Sequence, residues 1–93
     1  MIKSFRCKET EKVFGRRSSR KFSTKTQRIA LRKLLLIDAA EAIKDFRIPP
    51  GNRLEKLSGR RKKQHSIRID EQWRICFEWK QGDAYNVEIV DYH

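Results

Sequence analysis

The sequence predicts an α+β fold: two N-terminal helices packed on one face of a small antiparallel sheet. Three observations carry that reading. Apolar residues recur at helical spacing in the first half, strand-like runs separated by turn residues fill the chain from Gln64 onward, and Pro49-Pro50-Gly51-Asn52 divides the halves. A chain of 93 residues has the length of one domain, residues 1–93, near the lower limit at which an apolar core sustains folding without a metal or disulfides.

Ile2 to Arg6 reads as a short first strand, and Lys8 to Phe14 as two helical turns with Gly15 as C-cap. Gly15 to Ser19 is loop-like. Ser23, Thr24 and Thr26 offer N-caps for a second helix from about Lys25 to Asp45. At about 100° per residue, Leu31, Leu35, Ala39, Ala42, Ile43 and Phe46 fall on one face, the expected packing stripe. Leu34 and Ile37 fall away from it, so this helix is expected to meet two surfaces, the first helix and the sheet, unless a partner protein covers them.

The prolines end the helical region because they deny backbone donors and bias the preceding residue away from helix. From Arg53 to Lys63 the chain is a basic loop, with Glu55 as its one acid and Leu54 and Leu57 as anchors. In the strand from Gln64 to Asp70, His65, Ile67 and Ile69 share one face, with Ser66 and Arg68 on the other. Asp70 and Glu71 turn the chain. Trp73, Ile75, Phe77 and Trp79 then face the core, which places Arg74, Cys76 and Glu78 opposite, alongside Arg68. Gly82-Asp83 supplies the next turn, and Tyr85 to His93 is the last strand. The second face of the sheet is expected to be open, an anion-binding surface beside the basic loop.

Lys and Arg number 23 against 12 Asp and Glu, a formal charge of +11, and every charged residue between Lys12 and Lys33 is basic. A clustered field of this sign fits a polyanion, bound with an affinity that falls steeply with salt. Cys7 and Cys76 are too few for a disulfide framework and lack the paired spacing of a zinc site, so both are expected to be buried thiols, with no metal and no cofactor. No apolar run of signal-peptide or membrane-spanning length follows Met1, and the expected location is cytoplasmic.

The opening Met1 to Phe5, Pro49 to Glu55, His65 to Arg68, Gln72 to Phe77 and the run Asp91-Tyr92-His93 together resemble HigB-type toxins of the RelE/ParE superfamily. The resemblance covers the whole chain. It implies the RelE-like, microbial-RNase-like fold, and a ribosome-dependent endoribonuclease that cuts mRNA in the ribosomal A site. It also implies a cognate helix-turn-helix antitoxin of the HigA type. ParE-like inhibition of gyrase, or plain occupancy of ribosomal or other nucleic-acid sites, is the competing non-enzymatic reading.

Metal-free RNA cleavage deprotonates a 2′-hydroxyl, stabilises charge on phosphorus and protonates the departing 5′-oxygen. Arg74, with Arg68, suits the phosphate, because a guanidinium fork matches its oxygens. Asp91, Tyr92 and His93 are the remaining catalytic candidates, His93 for proton transfer, with acid and base roles left open. A strand arginine can instead simply pair with a carboxylate such as Glu78 or Glu88. Arg16, Arg17, Arg20 and Lys21, together with Arg53, Lys56, Arg60, Arg61, Lys62 and Lys63, are expected contacts to ribosomal RNA, with antitoxin contact as the alternative for the first cluster and for Arg60 to Lys63. Some relatives carry a histidine and a lysine where Glu55 and Ser58 stand here. Lys56, Arg53, Arg60 or His65 stand as substitutes, although His65 also reads as a half-buried structural histidine.

Overall fold

The computed structural model describes residues 1–91, and Tyr92 and His93 lie outside the described residues. Helices α1 (Lys8–Phe14) and α2 (Thr24–Ala39) precede four strands, β1 (Glu55–Lys56), β2 (Gln64–Arg68), β3 (Trp73–Lys80) and β4 (Asp83–Asp91). The strands lie in sequence order and pair antiparallel. The result is the expected α+β layer, with one strand, β1, inside what the sequence presented as a loop.

Cys7 caps α1, its Sγ accepting from the Thr10 N–H at 3.4 Å, and is only half-buried; Cys76 is the buried thiol. Gly15 closes the helix by donating its N–H to the Glu11 carbonyl at 2.9 Å, but the left-handed residue is Arg16, at φ 61°. The fully buried Thr10 hydroxyl accepts from the Ile89 N–H at 2.9 Å, which fastens α1 to β4.

Ser23 caps α2, accepting from the Thr26 N–H at 3.1 Å. The helix stops at Ala39, short of the expected Asp45, and Ile43–Arg47 forms a separate 3-10 turn. The cause is local: the Asp45 carboxylate accepts from the N–H groups of Glu41 and Ala42 at 2.9 and 3.0 Å, an alternative to continued helix. A stripe extrapolated through that break turns out rotated. Leu34 and Ile37 are the fully buried residues, together with Ala30, whereas Leu35 is 41% exposed and Ala39 is exposed. Phe46 still reaches the core, packed edge-on to Trp79 at 5.3 Å and tilted to Phe77 at 5.2 Å.

Ile2 and Phe5 make two isolated parallel bridges, to Ala84 and Val87, in place of the expected first strand. A bulge in β4 interrupts regular pairing: Cys76 opposes Glu88, but Glu78 opposes Tyr85, and Asn86 within the bulge sits at φ 54°. Its N–H donates to Ser4 Oγ at 2.8 Å, joining the N-terminal segment to the bulge. Gln81 and Gly82, at φ 49° and 83°, make the two-residue hairpin loop that closes Lys80 on Asp83. The turn therefore lies one residue earlier than expected.

Ile67, Ile75, Phe77, Val87 and Ile89 line the helix-facing side of the sheet and are all buried. Full burial of each such side chain is worth about 1.5–3 kcal/mol. The other face is not the open surface that alternation implied. Ser66 and Cys76 are fully buried and Arg74 is 6% exposed. Arg61 helps to cover it, its Nη1 reaching Gln64 Oε1 at 2.9 Å and Glu88 Oε1 at 3.3 Å across β3. Burial pushes the Cys76 thiol up, against the opposing pull of Arg61.

Candidate active site

Arg74 is positioned from three directions. β-pairing sets its Cα opposite Arg68 and Val90, so its side chain leaves the sheet on the face away from the helices. Its Nε donates to Ser66 Oγ at 2.9 Å, and its Nη2 donates to the Ser66 carbonyl at 3.2 Å and to the Arg53 carbonyl at 2.6 Å. Glu55 Oε1 lies 4.0 Å from Nη2. Such a guanidinium is aimed before any ligand arrives, and repositioning it would break several charge-assisted bonds.

The Arg53 carbonyl points at Arg74 because Arg53 adopts a left-handed conformation, φ 45° and ψ 58°, after the 3-10 turn Pro50–Asn52. Fully buried Asn52 fixes that turn, donating through Nδ2 to the Phe46 and Ile48 carbonyls at 3.2 and 3.3 Å. Lys33 of α2 donates to Asn52 Oδ1, and burial, followed by the charge of Arg32, holds this amine below the usual lysine range. A chain of contacts thus runs from α2 to the arginine. Ser66 and Asn52 are not marked as site residues by the sequence, and their burial beside Arg74 identifies them only once the fold is formed; Glu55, which stands where some relatives carry a histidine, is exposed at the edge of this group.

Arg74 lies beneath a shallow cleft of about 250 Å³ lined by Arg53, Glu55, Arg68, Asp70, Glu71 and Arg74. Arg68 is half-buried and its Nε donates to the Asp70 carbonyl at 3.1 Å. The Asp70 carboxylate accepts from the N–H groups of Gln72 and Trp73, both at 2.9 Å, and from the Thr26 hydroxyl at 3.0 Å. Burial raises this carboxyl, but the Trp73, Gln72 and Thr26 hydrogen bonds outweigh it and hold Asp70 below the ordinary aspartate range. The cleft can therefore present three guanidinium groups to a phosphate, with carboxylates on its rim.

Asp91 is exposed at the end of β4, opposite Trp73, with its Oδ2 accepting from Gln72 Nε2 at 3.1 Å. Cross-strand partners share a face, so Asp91 belongs to the Trp73 side and Arg74 to the reverse. The structure brings Arg53, Arg68 and Arg74 together around one cleft, and among the described residues Asp91 is not part of its lining. The expectation for Tyr92 and His93 falls outside the described residues.

The remaining basic residues divide into regions. Arg16 and Arg17 follow α1 and line a separate cleft with Val13, Arg28 and Leu31, in the helical layer. Arg20 and Lys21 are exposed, with Lys21 Nζ 5.8 Å from the Phe22 ring centre. Arg60, Lys62 and Lys63 are exposed around the 3-10 turn Gly59–Arg61, whereas Arg61 is tied to Gln64 and Glu88. Lys56 is exposed on β1 opposite His65, on the helix side of the sheet. Among the described residues no three His, Cys, Asp or Glu side chains cluster as metal ligands, and no helix is long and apolar enough to cross a membrane.

A short helical layer on a four-stranded antiparallel meander is an α+β arrangement consistent with RelE-like toxins. The sequence pattern of the RelE-like toxin of type II toxin-antitoxin system HigB matches residues 3–93, and the chain belongs to this HigB-like toxin family. It is 53% identical over 55 residues to toxin HigB-1 of Vibrio cholerae serotype O1, an alignment covering 59% of this chain and 58% of that relative. It is 34% identical over 67 residues to an uncharacterized protein of Haemophilus influenzae, covering 72% of this chain and 66% of the relative. The chain thus aligns with less than two thirds of the length of each.

Proposed function

We propose that this chain acts as a single toxin domain, a metal-independent endoribonuclease that cleaves messenger RNA in the ribosomal A site and arrests translation. A helix-turn-helix antitoxin of the HigA type would neutralise it in the cytoplasm. The observation that carries the reading is Arg74, a nearly buried guanidinium fixed by Ser66 and the Arg53 carbonyl beneath a cleft that Arg53 and Arg68 also line. Family membership and the charge of +11 support the same conclusion.

In this mechanism the 2′-hydroxyl loses its proton and its oxygen attacks the adjacent phosphorus. The 5′-oxygen leaves with a proton, giving a 2′,3′-cyclic phosphate and a 5′-hydroxyl. Arg74, assisted by Arg68, holds the phosphate and the charge that grows on it. Preorganisation matters here, because donors already fixed in place do not reorganise during the reaction. Tyr92 and His93 supply proton transfer and orientation of the scissile unit, with Asp91, at the end of β4, as the complement of His93. Arg16, Arg17, Arg20, Lys21, Arg60, Lys62 and Lys63 supply phosphate contacts to ribosomal RNA, which ties binding strongly to salt.

Induction in cells, followed by primer extension on abundant messages, tests the reading. New 5′ ends in codon phase are expected with the wild-type chain and not with His93→Ala or Asp91→Asn. Arrested growth with no new ends, equally strong in both variants, would sink the nuclease assignment and favour occupancy of a nucleic-acid site without cleavage.

A further inference from the structure

On the helix side of the sheet, beyond β1 from Arg74, lies a second cleft, of about 440 Å³, lined by Ile43, Arg47, Leu54, Lys56 and His65. Two of these are exposed cations, two are apolar, and none is an acid. His65 is half-buried and paired across the ladder with both Lys56 and Phe77, its ring stacked at 26° and 6.3 Å from Phe77. Its Nδ1 is buried and has no hydrogen-bond partner among the described residues. That nitrogen is shut off from the cleft, so the ring can meet a ligand only through its other atoms.

We propose that this cleft is a nucleotide subsite for single-stranded RNA running past the Arg74 cleft, with one base against Ile43 and Leu54 and its phosphate on Arg47 and Lys56. The proposal rests on the ribonuclease reading and adds a contact on the opposite side of the sheet edge. The path is continuous. β1 is only two residues long, and alternation sends Glu55 toward Arg74 and Lys56 toward His65. A shallow groove lined by Glu55, Lys56, Leu57, Ser58 and Arg61 shares Glu55 with the first cleft and Lys56 with the second.

The chemistry favours a nucleotide over an acidic side chain. Burial, followed by the Lys56 charge, holds the imidazole below the usual histidine range, so near neutral pH His65 contributes a neutral ring with one donor and one acceptor. A neutral ring next to an apolar wall suits an uncharged base, whereas a carboxylate would gain little from the ring itself. Single-strand binding in general combines a cationic track for the backbone with rings that stack on bases, and here the cations are Arg47 and Lys56 and the ring is His65.

The test uses the purified full-length chain without ribosomes, a short fluorescein-labelled single-stranded oligoribonucleotide, and a polyglutamate peptide as competitor. Arg47→Ala with Lys56→Ala is compared with Lys62→Ala with Lys63→Ala, which removes the same charge. The first pair is expected to weaken RNA binding about tenfold more than the second, because it removes the phosphate contacts of the subsite itself. His65→Phe, which keeps the ring stack, is expected to weaken it as well. In the wild-type chain the His65 ring nitrogen resonances are expected to shift on adding the oligoribonucleotide.

Equal losses in the two double variants, absence of RNA binding, or a His65 signal that stays put overturns the subsite. So does a response to polyglutamate stronger than the response to RNA. None of these outcomes bears on the codon-phased cuts, which are read in cells. Loss of those cuts in the wild type would remove the nuclease reading while leaving the binding comparison intact.

Discussion

The two faces of β3 are almost equally buried, by different means. On the helix side Ile75 and Phe77 are shut in by Leu34, Ile37 and Phe46. On the other side Arg74 and Cys76 lie under polar groups, with Arg74 bonded to Ser66 and the Arg53 carbonyl and Arg61 bridging Gln64 to Glu88. The first face is buried because water is excluded from apolar area; the second stays buried only because its polar atoms are satisfied. Burial by itself therefore separates neither core from site nor a stabilising residue from a working one. What distinguishes Arg74 is the kind of contact holding it.

Substitutions on the two faces should fail differently. Phe77→Ala leaves a cavity between Phe46 and Trp79, and urea unfolding is expected to show a loss of about 3–5 kcal/mol. Arg74→Lys keeps the charge but removes the fork. Codon-phased cleavage is expected to fall by about 100-fold or more, while the urea midpoint moves less than for Phe77→Ala. If the two variants lose stability equally and the lysine variant still cleaves, the contrast between the faces is wrong.

Asp70 links the faces, since it holds the β2–β3 turn and Thr26 of α2. Asp70→Ala is expected to cost about 1.5–3 kcal/mol at neutral pH, the range for hydrogen bonds to a charged group. Because the folded carboxyl sits below its unfolded value, this stability is present above the unfolded pKa and disappears as pH falls through the folded one. Urea titrations of wild type and variant should converge below about pH 4. A gap that widens on acidification would contradict the assigned direction.

Ser66→Ala removes one Arg74 partner and leaves the Arg53 and Ser66 carbonyls in place, for an expected loss of about 1 kcal/mol. Cleavage should fall with it, and Ser66→Thr, which restores a hydroxyl, should recover part of it. The smallest stability effect belongs to Lys62→Ala with Lys63→Ala, exposed residues whose loss should change stability by less than about 0.5 kcal/mol. The same pair should lower the slope of log affinity against log salt by about 2 if both lysines contact phosphate.

Much of this protein was legible in its residues. Alternation at Ile67, Ile75, Phe77 and Ile89, the cap at Ser23 and the stop at the prolines determined an antiparallel sheet with helices on one side, since each depends on the chain within a few residues of itself. The polar side of β3 was equally plain, and with it Arg74 as a site candidate. Tertiary structure decided the rest. The α2 stripe was misplaced because Asp45 captures two backbone donors and breaks the helix, so that Leu34 and Ile37, and not Leu35 and Ala39, meet the core. The surroundings of Arg74 come from Asn52, Arg53 and Ser66, and the cleft at His65 comes from the pairing of β1 with β2. These are contacts between segments distant in sequence, where the decisive energy lies in satisfying buried polar groups, and no local pattern of residues encodes which partner will be found.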